Sequence, residues 1–239
     1  MSNLRVIMPM AGEGSRFKKE GYIVPKPLLE IDNKYFFEKA LESLQEIVNK
    51  YDEVNYTFVV RKEHIDNNHI DILLKNKYEN CNIIYVEKTT RGAAETCMLA
   101  KDFINDNESI IVLDCDLFAR SYSFENSIKY LNSDGAVLSF NSNSPKYSYA
   151  LTDENYNIIK TAEKNPISNN ALTGVYFFRT GGIFKKYASR LIKENDVKNI
   201  KEYYISLIYN KMIEDGLTVK LFKLDEFKSF GTPEEYLAT

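Results

Sequence analysis

The chain has 239 residues, 44% of them hydrophobic, which is enough to bury one substantial core without a second domain. Its net charge of −3 and pI near 5.6 argue against a protein of nucleic acids or membrane surfaces, since those carry a basic face or tail. Apolar runs are only strand-sized and no basic-then-apolar leader is seen, so we expect a cytoplasmic protein without a membrane span. Three cysteines, Cys81, Cys97 and Cys115, lack metal-ligand spacing and indicate reduced thiols.

The first predicted strand, residues 4–8, opens into a glycine-rich turn, Pro9-Met10-Ala11-Gly12-Glu13-Gly14-Ser15-Arg16-Phe17. Glycines leave no Cβ between an approaching anion and the backbone N–H groups. Arg16 adds a guanidinium suited to phosphate oxygens. Lys26 adds a second cation on a backbone stiffened by Pro25 and Pro27. Together these features predict a triphosphate site.

Three other phosphate-binding loops do not fit this turn. A Walker loop requires Gly-Lys-Ser/Thr, which does not follow Gly12 or Gly14. A dinucleotide fingerprint requires a third Gly or Ala where the chain has Phe17, and a helix that the later Gly and Pro residues would interrupt. A kinase loop would be accompanied by His-Arg-Asp and Asp-Phe-Gly, and the sequence contains neither. An ordinary surface turn is the remaining alternative.

Helices and strands are predicted to alternate along the rest of the chain, which is typical of an α/β fold with a parallel or mixed sheet. The predicted helices cover residues 35–50, 63–76, 93–104, 124–131, 182–193 and 200–215. The predicted strands cover residues 56–60, 82–87, 109–113, 136–140, 149–151, 158–160, 172–178 and 217–224. The short strands 149–151 and 158–160 predict a small antiparallel insertion. His64 and His69 fall on a predicted surface helix and are assigned no function.

A pair of carboxylates, Asp114 and Asp116, follows the apolar strand 109–113, where open α/β sheets place their ligand sites. Two carboxylates facing a triphosphate suit Mg²⁺. Because side chains alternate along a strand, the two would share a face if the strand continued, and Cys115 would point away. The alternative is a pair of solvated carboxylates in a turn.

The glycine-rich turn followed by Pro25-Lys26-Pro27 resembles the signature of the sugar-phosphate nucleotidylyltransferase family, and weaker matches continue over nearly the whole chain. The resemblance implies one Rossmann-like domain over residues 1–239, with a mixed, mostly parallel sheet flanked by helices. Its nucleotide-binding half would be about 1–120 and its acceptor-binding half about 121–239. It also implies that the protein joins an NTP to a phosphorylated acceptor with release of pyrophosphate.

Site residues follow from the resemblance, position by position. It places the catalytic cations at Arg16, Lys26 and Lys164, and the metal at Asp116, with Asp114 beside it. The implied nucleotide-binding residues are Ala11, Gly12, Glu13, Gly14, Ser15, Arg16, Glu87, Gly92 and Ala93, with Glu87 at the base and Gly92 at the ribose. The implied acceptor-binding residues are Tyr149, Glu163, Lys164, Thr173 and Gly174. A solvated Glu-Lys pair is the alternative for residues 163–164.

Two positions depart from the family pattern. Ser229 stands where the family has a metal-binding Asp, so a second metal site is absent or uses Asp114 or Asp225 instead. Ala150 follows Tyr149 where the family has Gly, and its methyl group would reduce the room for an acceptor.

The base and the acceptor are predicted less directly. This version of the turn resembles enzymes of bacterial capsule and surface-polysaccharide loci, some of them cytidylyltransferases. We therefore expect CTP, Mg²⁺ and a sugar phosphate or a non-sugar phosphate such as phosphocholine or phosphoglutamine. No nucleic-acid or membrane partner is expected, and a homodimer is the assembly to test. The alternatives are a nucleotide-sugar-dependent glycosyltransferase, because Asp-x-Asp holds Mn²⁺ on a similar fold, and a non-catalytic nucleotide-binding protein.

Overall fold

The computed structural model describes residues 2–197 and 202–239. Within them the strands are β1 Asn3–Pro9, β2 Glu30–Ile31, β3 Lys34–Tyr35, β4 Glu53–Arg61, β5 Cys81–Val86, β6 Ser109–Leu113, β7 Leu117–Arg120, β8 Gly135–Asn141, β9 Ser148–Thr152, β10 Ile158–Glu163, β11 Asn170–Phe178, β12 Val219–Lys223 and β13 Glu226–Ser229. The α-helices there are α1 Ser15–Lys19, α2 Phe36–Leu41, α3 Gln45–Val48, α4 Lys62–Asn68, α5 Ile70–Lys77, α6 Ala93–Met98, α7 Tyr122–Ser127, α8 Gly181–Val197, α9 Ile208–Glu214 and α10 Pro233–Leu237. Single 3₁₀ turns are Lys26–Leu28, Glu42–Leu44, Lys101–Phe103, Ile128–Tyr130 and Ile205–Leu207.

One mixed sheet organises the described residues. Strands β5, β4, β1 and β6 lie side by side and parallel. Strand β11 runs antiparallel to β6 and to β8, and β12 lies parallel to β8. The hairpin β9–β10 joins the first half of β11. The predicted α/β fold with its antiparallel insertion is therefore confirmed. Because β1 and β6 are central and parallel, their carboxyl ends meet at the same edge, directly before the glycine-rich turn and Asp114.

The core lies on both faces of this sheet, as the alternation of side chains along each strand requires. On β1, Leu4, Val6 and Met8 pack on one face against α2, α3 and α5, and Ile7 packs on the other against α6 and α8. Arg5 is also buried, and its Nε donates to Glu108 Oε1 at 2.6 Å.

Several predicted helices are interrupted, for reasons that can be seen in the structure. Predicted helix 35–50 contains a 3₁₀ turn, where the buried Ser43 hydroxyl accepts a hydrogen bond from the Ala119 N–H at 2.9 Å. Predicted helix 63–76 is divided at His69, whose φ of 51° ends α4 and precedes α5. The predicted start of helix 200–215 lies outside the described residues, and the chain is extended at Tyr204 before it turns helical at Ile205.

Several local elements were missed by the sequence analysis, helix α10 among them. Helix α1 follows the glycine-rich turn for five residues and ends before Gly21, whose φ is +85°. The short ribbons β2–β3 and β7–β13 lie outside the main sheet. Among the described residues, no helix is long and apolar enough to cross a membrane.

His64 is buried, so its placement on a surface helix was wrong. Its side chain is 4% exposed, and its Nδ1 has no hydrogen-bond partner among the described residues. Burial disfavours the imidazolium and lowers the pKa of His64 to about 4. The neutral imidazole is therefore the folded form, and the protonated form is favoured by unfolding.

This depressed pKa predicts a loss of stability in mild acid. The unfolded chain binds the proton near pH 6.5 and the folded chain only near pH 4, so the contribution of His64 is present above pH 6.5 and is lost as pH falls towards 4. Between pH 7 and pH 5 we expect the free energy of unfolding to fall about 2 kcal/mol more in the wild type than in His64→Leu, measured by urea denaturation. The exposed His69, changed to Asn, should leave the wild-type pH dependence intact. Equal slopes in wild type and His64→Leu would contradict the prediction.

Candidate active site

Two adjoining cavities open at the carboxyl ends of β1 and β6. The smaller has a volume of about 190 Å³ and is lined by Ala11, Gly12, Thr89, Thr90, Gly92 and Thr96 among others. The larger has a volume of about 360 Å³ and is lined by Arg16, Asp116, Glu163, Lys164, Thr173 and Gly174 among others. Asp114 and Ala93 line both. Most residues that the sequence analysis selected are therefore brought together around one junction.

The glycine-rich turn is held in place by an aromatic cluster. Phe17 of α1 packs with Phe36, and Phe36 in turn packs edge-on against Phe230 at 4.6 Å between ring centroids. Gly14 precedes α1 with φ +63°, a left-handed conformation that favours glycine. This anchoring directs Arg16, which follows the turn, to the larger cavity.

The remaining predicted nucleotide residues lie at different places. The exposed Ser15 begins α1, and Glu13 accepts a hydrogen bond from the Thr89 hydroxyl at 2.9 Å. Glu87, predicted at the base, is exposed just after β5 and lines neither cavity, whereas Thr89 and Thr90 line the smaller one. Gly92 does line the smaller cavity.

The packing of the chain around position 92 requires a glycine there. A Cβ on this residue would lie 2.5 Å from the Tyr203 carbonyl oxygen, and its φ is +145°. The backbone of Tyr203 pairs with this turn on both sides: its N–H donates to the Arg91 carbonyl at 3.0 Å, and its carbonyl accepts from Ala94 at 2.9 Å. The segment from the C-terminal half thus closes against the loop that lines the smaller cavity.

Lys26 and Asp116 form an ion pair at the edge of the larger cavity. The Lys26 Nζ lies 2.7 Å from Asp116 Oδ2, and the two side chains are 25% and 23% exposed. Burial opposes the charge of Lys26, but the attraction of Asp116 outweighs it and raises the pKa of the Lys26 ammonium. Lys26 is therefore a permanent cation next to the carboxylates.

Asp114 lies past the end of its strand. Strand β6 stops at Leu113 and a turn follows, so Asp114 and Asp116 are not alternate residues of one strand, although both reach the larger cavity. The Asp114 N–H donates to the Gly174 carbonyl at 2.8 Å, which fixes its position. Burial of the carboxyl group, together with repulsion from the negative charge of Asp116, raises the pKa of Asp114 to about 7.

Two glycines make room for these carboxylates. A Cβ on Gly174 would lie 2.3 Å from Asp114 Oδ2, and one on Gly231 would lie 2.7 Å from Asp116 Oδ2. Gly174 is thus a neighbour of the first carboxylate, and it also lines the larger cavity as predicted.

These residues fit a magnesium ion. Among the described residues, no three His, Cys, Asp or Glu side chains form a complete protein cage for a metal. Mg²⁺ does not need one, because it typically takes one or two carboxylates together with water and substrate phosphates. Burial is the main reason for the raised pKa of Asp114, and negative charge from Asp116 and Glu163, which Lys26 only partly offsets, adds to it. A divalent cation would relieve that repulsion.

Two of the predicted acceptor residues, Glu163 and Lys164, lie together on one wall of the larger cavity. Lys164 adopts a left-handed φ of 53°, and its Nζ donates to the Tyr204 hydroxyl at 2.6 Å. Glu163 accepts hydrogen bonds from Ser148 and, at 3.3 Å, from Ser206. Burial raises the pKa of Glu163 in spite of these hydrogen bonds. This wall offers both a cation and a carboxylate.

Tyr149 is not brought into the cavity. It is fully buried, and its hydroxyl donates to the Ser144 carbonyl at 2.6 Å. Because side chains alternate along β9, its neighbour Ser148 faces the cavity instead. Ala150 is buried too and lines neither cavity, so its methyl group does not narrow the space for an acceptor.

Beside Ser229 lies a carboxylate that the sequence analysis missed, that of Glu235. The Ser229 hydroxyl donates to Glu235 Oε2 at 2.7 Å, and Glu235 also pairs with Lys146. Asp225 does not line either cavity; its Oδ2 accepts from the Tyr122 N–H at 2.7 Å. Glu235, Lys146 and Tyr204 come from separate loops and a terminal helix, and no spacing in the sequence connects them.

The chain belongs to the nucleotidyl transferase family, because a family model described as "Nucleotidyl transferase" matches residues 5–238. The nucleoside-diphosphate-sugar pyrophosphorylase from Vibrio cholerae RC9 has a similar structure, with a TM-score of 0.83 and 28% sequence identity over 98% of both chains. The inositol-1-phosphate CTP transferase from T. maritima shares the fold, with a TM-score of 0.73 and 17% identity over 97% of this chain and 90% of that one.

A curated relative is the mannose-1-phosphate guanylyltransferase catalytic subunit beta of Dictyostelium discoideum, 26% identical over 184 residues, or 73% of this chain and 49% of the relative. The chain spans about half the length of the curated relatives it matches.

Crowding at Gly174 gives a testable prediction. In Gly174→Ala the new methyl group would overlap the Asp114 side chain, including its Cβ at 2.5 Å, so the carboxylate must move. We expect a loss of about 1–3 kcal/mol in the free energy of unfolding, together with a loss of NTP-dependent pyrophosphate release. At Gly182 the nearest atom to a new Cβ is 3.4 Å away, so Gly182→Ala is the matched control. Full activity in Gly174→Ala would show that Asp114 is not needed where it lies.

Proposed function

We propose that the protein transfers a nucleoside monophosphate from an NTP, with CTP favoured, to a phosphorylated acceptor, releasing pyrophosphate. The observation that carries this proposal is the position of Asp114. It lies between a small cavity of backbone and hydroxyl groups and a larger cavity with charged walls, and Asp116 and Lys26 lie beside it. The nucleotide base would bind in the smaller cavity and the acceptor in the larger one, so the two substrates would meet at this charged junction.

The reaction we propose is a direct displacement at the α-phosphorus. An oxygen of the acceptor phosphate, positioned by Lys164, attacks in line, a new P–O bond forms, and the bond to pyrophosphate breaks. The phosphate nucleophile is already ionised at neutral pH, so no general base is required and catalysis consists of positioning and electrostatic stabilisation. Lys26 would stabilise charge at the α-phosphate, and Arg16 would bind the leaving pyrophosphate.

Asp116 and Asp114 would hold Mg²⁺ in this proposal. The bound ion would supply positive charge for the phosphate oxygens at the reacting centre. Lys26, by pairing with Asp116, limits the negative charge of the site and keeps that carboxylate in place.

The chemistry of the larger cavity suggests the kind of acceptor. Lys164 and Lys146 offer cations for a phosphate, and Glu163 offers a half-buried carboxylate for hydroxyl or amino groups. A sugar phosphate offers hydroxyl groups and phosphoglutamine an amino group, whereas phosphocholine offers a quaternary ammonium cation that the carboxylate would attract by charge. The form of the glycine-rich turn supports CTP and a role in bacterial capsule or surface-polysaccharide precursor synthesis.

The experiment that tests the proposal is a pyrophosphate-release assay with Mg²⁺. CTP, UTP, dTTP, GTP and ATP would each be combined with sugar phosphates and non-sugar phosphates. Turnover with one NTP and one acceptor is the expected result, and it should stop when EDTA removes the metal. Binding of an NTP without any turnover would favour a non-catalytic binding protein. Hydrolysis of a nucleotide sugar without an NTP would favour a glycosyltransferase.

Removal of the Lys26 cation should impair the chemical step. We expect Lys26→Ala to lower kcat by about 10²–10³ while the protein stays folded, because the charge developing at the α-phosphate loses its fixed partner. The exposed Lys19→Ala on α1 is the matched control and should keep wild-type kcat. An unchanged kcat in folded Lys26→Ala would refute this role.

Lys164 should act on the acceptor alone. In Lys164→Met the aliphatic stem remains and the charge is lost, so we expect KM for the phosphorylated acceptor to rise about tenfold, with KM for the NTP unchanged. Lys160→Met, an exposed lysine on β10, is the control. If KM for the NTP rises instead, Lys164 binds the nucleotide and the proposed division of the site is wrong.

A further inference from the structure

Three threonines, Thr89, Thr90 and Thr96, line the smaller cavity, which the proposed function assigns to the nucleotide base. Most of the other residues that line it are glycine, alanine and proline. Base edges differ mainly in where they carry hydrogen-bond donors and acceptors, so the way these hydroxyls direct their protons bears on which base fits.

The protons of Thr90 and Thr96 are both used within the protein. Thr96 Oγ1 lies 3.0 Å and Thr90 Oγ1 lies 3.4 Å from the Gly92 carbonyl oxygen, and the two hydroxyl oxygens are 2.5 Å apart. Each hydroxyl has one proton. If Thr96 donates to Gly92, then Thr90 donates to Thr96; if Thr90 donates to Gly92, then Thr96 donates to Thr90. In both arrangements Thr90 keeps an oxygen lone pair for a ligand and has no proton left.

The hydroxyl proton of Thr89 is also used in a hydrogen bond within the protein. Its hydroxyl donates to Glu13 Oε1 at 2.9 Å and accepts from Arg61 Nη1 at 2.8 Å. A hydroxyl has one donor and two acceptor lone pairs, so one lone pair is left. Two neighbouring residues on the cavity wall therefore each offer an acceptor oxygen to a ligand.

We propose that Thr89 and Thr90 form an acceptor pair that selects a base with an exocyclic amino group and disfavours uracil and thymine. The amino group carries two N–H donors for two acceptors. Uracil and thymine offer one ring N–H between two carbonyl groups, so a second threonine oxygen would face another acceptor. This inference rests on the proposed function for the assignment of the cavity to the base. It explains a preference for CTP over UTP through named side chains.

Direct binding measurements test the pair without depending on turnover. We would measure Kd for CTP, UTP, dTTP and ATP by isothermal titration calorimetry with Mg²⁺. The wild type should bind CTP about tenfold more tightly than UTP or dTTP, since a mismatched edge leaves protein acceptors unpaired. The ATP measurement shows whether the cavity also admits a larger base with an amino group. Equal or tighter binding of UTP or dTTP would overturn the inference.

Two variants should change the preference in different ways. Thr90→Val removes the acceptor at constant size, so the Kd for CTP should rise and the CTP-to-UTP ratio should approach one. Thr96→Val removes the hydroxyl that accepts from Thr90 and leaves Thr90 only its 3.4 Å contact to the Gly92 carbonyl. The Thr90 hydroxyl can then donate to a carbonyl group of the base. The Kd for UTP should therefore fall, while the Kd for CTP changes little. Thr90→Ser keeps the hydroxyl and should keep the preference.

The same substitution on β9, Thr152→Val, lies outside both cavities and should bind like the wild type. A CTP-to-UTP ratio that is unchanged in folded Thr90→Val would overturn the inference, although the proposed transfer reaction could still hold. A CTP preference that Thr90→Val abolishes, in a protein that releases no pyrophosphate, would support the inference and reject the proposed reaction.

Discussion

The ion pair between Lys26 and Asp116 is the constraint on which the rest of the site depends. Two charges that are about three-quarters buried lie 2.7 Å apart, and either alone would bear a large desolvation cost. The pair joins the Pro25-Lys26-Pro27 segment near the N-terminus to the end of the central strand β6. The adjacent Leu28 is buried in the core, so the lysine backbone cannot move independently of the fold. Because this cation is built into the site, Asp114 and Asp116 can lie close together.

The second constraint is steric and comes from the C-terminal half of the chain. Asp114 and Asp116 occupy the space that a Cβ would take at Gly174 and Gly231, and the backbone of Tyr203 does the same at Gly92. Strand β11, the segment after β13 and the segment before α9 therefore approach the nucleotide loops as closely as backbone allows. Although the nucleotide signature lies in the first part of the sequence, the shape of the junction is set by residues from the second. The site forms only when both halves have packed.

The sequence was sufficient for the features that repeat along the chain or that follow a strand end. Short apolar runs predicted the strands, and the carboxyl ends of β1 and β6 located the glycine-rich turn and Asp114. The sequence was insufficient where contacts between distant residues determine which side chains are buried. No Gly or Pro marks the break at His69, whose φ is 51°, and the burial of His64 and of Tyr149 depends on neighbours that are distant in sequence. Glu235 lies in the first turn of α10, after Thr232 and Pro233. An acidic residue is common there as part of a helix cap, so nothing in the sequence assigned it to the site.

The two cavities are lined by different kinds of residues, which explains why the class of reaction is easier to infer than the acceptor. The smaller cavity is lined by backbone, small side chains and threonine hydroxyls from adjacent segments, so a local motif specifies most of it. The larger cavity combines charged side chains from five or more separate segments, among them Lys146, Lys164 and Glu235. Each of these charges is held by a partner within the protein, Glu235 for Lys146 and Tyr204 for Lys164. In the proposed function an acceptor would displace or extend those pairings, so its identity depends on the exact spacing of charges that no short stretch of sequence records.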